Sequence, residues 1–248
     1  MPAKPMEETL RAAQVAGDLY VAFQPIVDLQ RRQLFGYEAL ARCRSRAFDD
    51  AVGLIKTAVV SGCMGELGRE LRAMAARDCP RNALFLNLHP SEFNDGWLVR
   101  PDDAMFFHDD PVYLEITESV PLSHFKHCQG VLKEIRGRGI SLAVDDLGAG
   151  YSNLKYIADL APEVVKLDRQ LIANLRVESR AQKLVSALVK LCDSLNAKVV
   201  AEGIETREEM QAVLDTGAQY GQGYLFARPS YPAPAIDWKA VGLRAQSR

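Results

Sequence analysis

ISLAVDDLGAGYSNLKYIADLAPEVVKLD, residues 140–168, carries two short apolar runs joined by a loop and a short helical stretch. ISLAVDD (140–146) and EVVKLD (163–168) are nearly all apolar until they end in charge. Runs of this kind read as strands buried on both faces, the habit of parallel sheets covered by helices. Working outward, ALFLNL (83–88), VYLEIT (112–117) and AKVVAEG (197–203) repeat the pattern, and AQYGQGYLF (218–226) gives a short strand running into a glycine-rich turn. Helical stretches lie between them: most of 48–78 with an interruption near the glycines, a helix ending near RGRG (136–139), and a long helical region over 169–196. The helix after residue 203 starts on a capping box, Thr206 with Glu209, and Gly217 is its stop.

The N-terminal pair differs. YVAFQPIVDL (20–29) and LFGYEAL (34–40) are separated only by the turn QRRQ, too little chain for a helical crossover, so they pair as an antiparallel hairpin. About eight strands can be placed, the number of a barrel. A doubly wound dinucleotide fold would show GxGxxG after an early strand, and the chain has none. The expectation is an α/β modified barrel, with 1–17 as a lead helix, 18–230 as one domain and 231–248 as a surface tail. A chain of 248 residues, 48% apolar, can bury such a core.

Composition excludes several classes. With 30 basic and 32 acidic residues the net charge is −2, without the basic stripe of a DNA or RNA binder. No signal peptide and no apolar segment of roughly 18 residues occurs, so no membrane partner is expected. The five cysteines are widely spaced and odd in number, which fits a reducing, cytoplasmic setting and not a zinc site.

Chemistry is legible at the strand ends. Glu38, Asn87, Glu115, Asp145 with Asp146, Lys166, Glu202 and Gln222 each stand at or just before the C-terminal end of a strand. In a barrel those ends converge on one open face, where reactions are carried out. Converging carboxylates repel and raise one another's pKa unless cations neutralise them. Carboxylates with an amide oxygen, and no cysteine, suit a hard divalent ion such as Mg²⁺ or Mn²⁺. Adjacent Asp145 and Asp146 would let two ions share a carboxylate, an arrangement suited to phosphoryl displacement. Glu202 would take a proton from attacking water. Lys166 would orient that water or offset phosphate charge, with Asp168 two residues on sharing its strand face and holding it.

These residues sit in FQPI (23–26), EALAR (38–42), NLHP (87–90), EITES (115–119), DDLGAGYSNL (145–154), KLD (166–168), EGIE (202–205) and GQGY (221–224). Together and in this order they resemble the EAL-domain family of bacterial cyclic di-GMP phosphodiesterases, from about Asp18 to Pro229. The resemblance implies a modified TIM barrel with an antiparallel first strand. It also implies hydrolysis of cyclic di-GMP to linear pGpG with two Mg²⁺ or Mn²⁺ ions. It implies Glu38, Asn87, Glu115, Asp145 and Asp146 as metal ligands, Glu202 as general base, and Lys166 beside the catalytic water, with Asp168 beside Lys166 counted among the catalytic residues. Arg42, Gln24 and Gln222 become substrate contacts, Glu118 the anchor of the loop after the aspartate pair, and Glu205 a supporting residue. It implies a homodimer through the loop and helix after Asp146, and a regulatory domain as partner if the chain is a fragment.

The chain departs from the family pattern. DDLGAG stands where DDFGTG is usual, so Leu147 keeps an apolar anchor while Ala149 lacks a hydroxyl, and NLHP replaces NLSP. His89 reads as a local hydrogen-bonding residue, His124 and His127 as a solvated helix face, Tyr151 as a residue ordering the loop, and DDAMFFHDD (102–110) as a capped, solvated loop. The competing readings are a receptor that binds cyclic di-GMP without cleaving it, an unrelated metal-dependent barrel lyase acting through an enolate, and a protein-interaction domain.

Overall fold

A computed structural model of the chain describes residues 3–48, 50–93, 96–117, 122–149 and 154–242. Eight strands close into a barrel in sequence order: β1 (Leu19–Asp28), β2 (Gln33–Cys43), β3 (Ala83–Asn87), β4 (Val112–Thr117), β5 (Ser141–Leu147), β6 (Val164–Leu167), β7 (Lys198–Ala201) and β8 (Tyr220–Gln222). β1 runs antiparallel to both β2 and β8, and every other pairing is parallel. The hairpin and the modified barrel expected from the sequence are therefore present.

Nine α-helices are seen among the described residues: α1 (Ala3–Val15), α2 (Ala51–Val60), α3 (Met64–Asp78), α4 (Leu122–Gly137), α5 (Lys155–Leu160), α6 (Arg169–Ile172), α7 (Arg180–Ser194), α8 (Arg207–Leu214) and α9 (Trp238–Val241). The single long helix expected over 169–196 is two. Asn174 and Glu178 take positive φ (59° and 62°), which ends α6, and Ser179 restarts the chain by accepting from Gln182 N. The helical stretch over 48–78 is interrupted at Gly62, whose φ is 70°. The capping box at Thr206 forms as read: Thr206 Oγ1 accepts from Glu209 N, and Glu209 Oε2 accepts from Thr206 N.

Inside the barrel, strand periodicity sets two storeys. Ile26, Phe85, Ala143, Val164 and Val200 form an apolar layer, joined by the rings of Phe35, Tyr113 and Tyr220. Phe35 stacks on Tyr220 with ring centroids 4.0 Å apart, and Phe85 on Tyr113 at 4.4 Å. Side chains two residues further along a strand face the same way. Hence Phe85 leads to Asn87, Tyr113 to Glu115, Ala143 to Asp145, Val164 to Lys166, Val200 to Glu202 and Tyr220 to Gln222. β1 runs the other way, so its polar residue precedes its apolar one: Gln24, then Ile26. A closed aromatic floor thus lies one layer below a polar ring at the open end.

Outside the barrel, the outward residues of β1 and β3–β5 pack under α3 and α4 with the connection over 90–107. Those of β6 and β7 pack under α7 and α8, with Val241 of α9 buried among them. Residues 230–241 stay on the barrel: Ser230 bridges Phe23, Tyr37 Oη donates to Pro234 O, and Arg207 donates to Ala240 O. No helix among the described residues is long and apolar enough to cross a membrane.

Candidate active site

The polar ring is organised by one lysine. Lys166 Nζ lies 2.7 Å from Glu202 Oε1, 2.8 Å from Glu115 Oε1, 2.9 Å from Asp145 Oδ1 and 3.4 Å from Glu38 Oε2. Its side chain is 1% exposed, so these carboxylates are its main polar environment. Burial works against the ammonium, but the charges of Asp145, Glu115, Glu202 and Glu38 hold its pKa well above the ordinary value. Two amides complete the ring on the Glu38 side. Gln222 Nε2 donates to Glu38 Oε2 and, at 3.1 Å, to Gln24 Oε1, while Asn87 Nδ2 donates to Glu38 Oε1 at 3.2 Å. For Glu38 burial opposes ionisation, yet Lys166 and the two amides outweigh it and lower its pKa.

The other carboxylates are under-compensated. Burial first, with Glu38 and Asp145 adding to it, pushes Glu115 well above the carboxylate range despite Lys166. Burial and the neighbouring Asp145 and Glu38 bring Glu202 to about 8, and burial with Asp145 brings Asp146 to about 6. Glu115 Oε2 is buried with no hydrogen-bond partner among the described residues. Four carboxylates contact one ammonium, with Asp146 close by, and the missing compensation is positive charge.

Asp145 and Asp146 are neighbours in sequence and would point to opposite faces of a regular strand. The register between β5 and β6 shifts between Val144 and Leu147, and Asp146 takes φ of 60°. Both aspartates consequently line the same cavity, of about 260 Å³, together with Gln24, Glu38, Lys166, Glu202 and Gln222. Asp145, Asp146 and Glu202 each offer an oxygen, and the three atoms lie within 4.8 Å of one another. All-oxygen donors, an orphaned carboxylate oxygen and excess negative charge fit a hard divalent cation.

The structure therefore brings Gln24, Glu38, Asn87, Glu115, Asp145, Asp146, Lys166, Glu202 and Gln222 together. Glu205 lies at the rim of the cavity, 2.9 Å from Arg169. Asp168 is placed differently from the reading that it holds the lysine. Its Oδ1 accepts from Gln170 N as the cap of α6, and the four carboxylates named above hold Lys166 instead. Arg42 lines a second cavity of about 470 Å³ beside the first, which shares Leu40 with it and also contains Asn87 and His89. His89 makes the local bonds expected of it, to Ser91. Glu118 and Tyr151 lie outside the described residues, as do the side chains of His124 and His127 and residues 150–153 of the expected dimer contact.

Residues not singled out from the sequence also belong here. Arg169, directly after KLD, and Tyr224, the last residue of GQGY but given no role there, line the cavity. Arg72, in the wall of the second cavity, centres a buried ion network that no motif signalled. Arg72 Nη1 meets Glu92 Oε2 at 2.7 Å and Arg72 Nη2 meets Asp103 Oδ2 at 2.9 Å, with all three residues buried. Glu92 Oε1 accepts from His89 N, which ties this network to the segment following β3. Asp103 does cap a turn, accepting from Met105 N, but as a buried group and not a solvated one. Gly68 makes the network fit: a Cβ there would lie 2.2 Å from Glu92 Oε2.

A family model for the EAL domain matches residues 7–229. The chain is 32% identical over 232 residues to a cyclic di-GMP phosphodiesterase, PA2567, of Pseudomonas aeruginosa, covering 88% of this chain and 40% of that protein. It resembles the manganese and cyclic di-GMP complex of BlrP1 from Klebsiella pneumoniae with a TM-score of 0.74 at 30% identity, covering 86% of this chain and 56% of that one. It also resembles the cyclic di-GMP-bound form of a standalone EAL protein from Vibrio cholerae O395, with a TM-score of 0.72 at 26% identity, covering 90% and 97%. The chain spans about a third of the length of the curated relatives it matches.

Proposed function

Starting from a chain that belongs to the EAL domain family, we propose that it is a metal-dependent phosphodiesterase that hydrolyses cyclic di-GMP to linear pGpG. The observation that carries this reading is the buried carboxylate cluster around Lys166, with its orphaned Glu115 oxygen and its excess of negative charge. Relatives whose names and bound ligands are cyclic di-GMP and manganese supply the substrate class.

In this reading Glu38, Asn87, Glu115, Asp145 and Asp146 hold two Mg²⁺ or Mn²⁺ ions. Such ions, when bound, neutralise phosphate charge and acidify water. The protein's own groups do the rest. Water adds to phosphorus, the P–O3′ bond breaks, and the departing O3′ takes up a proton from solvent to become the 3′-hydroxyl of pGpG. Glu202, which lines the same cavity with its Oε1 2.7 Å from Lys166 Nζ, is placed to take the proton that the water loses. Lys166, fixed at the centre of the ring, holds the carboxylates in place and offsets charge developing on the phosphoryl oxygens. Gln222 and Gln24 fix the orientation of Glu38. Arg42, in the adjoining cavity, offers paired donors to the substrate. Asp168 and Glu205 support the site from the start of α6 and from the rim.

The test is to incubate the protein with cyclic di-GMP and Mn²⁺ or Mg²⁺ and separate the products by chromatography, with an EDTA control and Glu38→Ala. The expected result is pGpG formed only with metal and lost in the variant. Tight binding of nucleotide that stays intact with either metal would overturn the enzyme and leave a receptor.

A further inference from the structure

Asn87 is loosely held for a member of the polar ring. It is exposed, and its side chain makes one hydrogen bond among the described residues, Nδ2 to Glu38 Oε1 at 3.2 Å. With Nδ2 given to Glu38, Oδ1 is the atom left for a cation. Packing does not fix such a side chain, so its place depends on the backbone that carries it, and β3 ends at this residue. Past that end, Leu88 N donates to Glu115 O at 3.0 Å. The next donor, His89 N, is taken by a side chain instead, Glu92 Oε1 at 3.0 Å, and Glu92 N donates back to His89 O at 3.0 Å.

Glu92 can anchor this turn because it is itself fixed. It is fully buried, and its Oε2 accepts from Arg72 Nη1 of α3 at 2.7 Å. Asp103 is its counterpart on the same guanidinium. Asp103 Oδ2 accepts from Arg72 Nε at 3.0 Å, and its Oδ1 accepts from Met105 N at 3.1 Å. Each carboxylate thus serves Arg72 with one oxygen and a backbone N–H with the other. They differ in which backbone they hold: Glu92 holds the turn beside Asn87, and Asp103 holds a turn that carries no member of the polar ring.

We propose that Glu92, held by Arg72, is a positioning residue that fixes the backbone after β3 so that Asn87 stands ready to ligate a divalent cation at the carboxylate ring. The inference rests on the metal-dependent reading above and deepens it by naming what orients one of the ligands. Groups that orient a metal ligand change metal affinity by about 10–100-fold when they are altered. The amide of Glu92→Gln has one acceptor oxygen, which cannot serve both Arg72 and His89 N. The charged guanidinium makes the stronger bond and takes it, so His89 N loses its partner. Asp103→Asn is the matched control: it removes the same charge from the same arginine and strands Met105 N instead.

The test titrates Mn²⁺ into the full chain, followed by electron paramagnetic resonance below the melting temperature of each protein, for wild type, Glu92→Gln and Asp103→Asn. Both variants should melt below wild type. The expected result is a Kd for Mn²⁺ about tenfold higher in Glu92→Gln and within about twofold of wild type in Asp103→Asn. A wild type that binds Mn²⁺ no better than Glu92→Gln overturns the inference and leaves the cation site standing. A similar loss in Asp103→Asn overturns it equally, since the effect would then be a general loosening of the network. If Glu92→Gln does not fold, Gly68→Ala takes its place: its Cβ would lie 2.2 Å from Glu92 Oε2 and displaces the carboxylate with its charge kept, and an unchanged Kd there overturns the inference. A wild type that binds no Mn²⁺ removes the metal-dependent reading and this inference with it.

Discussion

Replacing Lys166 by methionine keeps the length of the side chain and deletes the charge that four carboxylates share. The lysine contacts lie between 2.7 and 3.4 Å. At an effective dielectric of about 20, one such pair is worth roughly 5–6 kcal/mol of attraction. Much of that offsets the cost of taking the ions out of water, so breaking a buried pair by removing one partner nets about 3–5 kcal/mol. In EDTA, Lys166→Met is therefore expected to be about 4 kcal/mol less stable than wild type. For a chain of this size that is a fall in Tm of about 8–16 °C. Urea unfolding followed by circular dichroism measures it. Saturating Mg²⁺ should return part of the loss, because a cation bound only by the folded state adds about 2.7 kcal/mol at a hundredfold excess over Kd. Turnover should remain low even so. A loss below about 1 kcal/mol in EDTA would refute the reasoning, since the ammonium would then not be what holds the carboxylates together.

Other expectations follow from the same geometry. Glu202 at about 8 and Asp146 at about 6 lie above their unfolded values, so the metal-free protein has their full contribution only below about pH 4 and loses it as pH rises from there, by about 6 for Asp146 and by about 8 for Glu202. Stability in EDTA should decline over this range, and the increment given by Mg²⁺ should grow; thermal melts across pH with and without metal check both. Arg72→Met leaves Glu92 and Asp103 buried without their partner and should cost about 3–5 kcal/mol, read by urea unfolding, where an unchanged midpoint would contradict the network. Thr206→Ala removes the cap of α8 and should cost about 1 kcal/mol, a Tm lower by about 2–4 °C, with turnover unchanged.

What could be read from the sequence and what could not divide along a physical line. The barrel strands were legible because both their faces are buried, which leaves uninterrupted apolar runs, and most of the polar ring because its members interrupt such a run at the strand end, whereas Gln24 and Glu38 stand inside β1 and β2. The antiparallel start followed from chain length alone, since QRRQ cannot cross over. The two-helix reality of 169–196 was hidden because Asn174 and Glu178 carry no strong breaker signal, although both adopt positive φ. The Arg72 network was hidden for a different reason. Glu92 and Asp103 lie in a polar stretch without periodicity, and only the approach of α3 at Gly68 turns those carboxylates into buried groups. Asp168 shows how one periodicity serves two ends: the face it shares with Lys166 was read as a contact, while its carboxylate turns to cap α6. The placement of Asp146 beside Asp145 needed the irregularity at the end of β5, which no alternation rule anticipates.

The measurement that bears most directly on the site is Mn²⁺ binding, followed by electron paramagnetic resonance in wild type and in Glu115→Gln. Glu115 is the carboxylate with an unpartnered buried oxygen, and its amide would keep the shape while removing the charge. The account predicts saturable binding in wild type that weakens at least tenfold in the variant. Equal binding in the two proteins, or none in wild type, would contradict the claim that the carboxylates at the barrel mouth form a divalent-cation site.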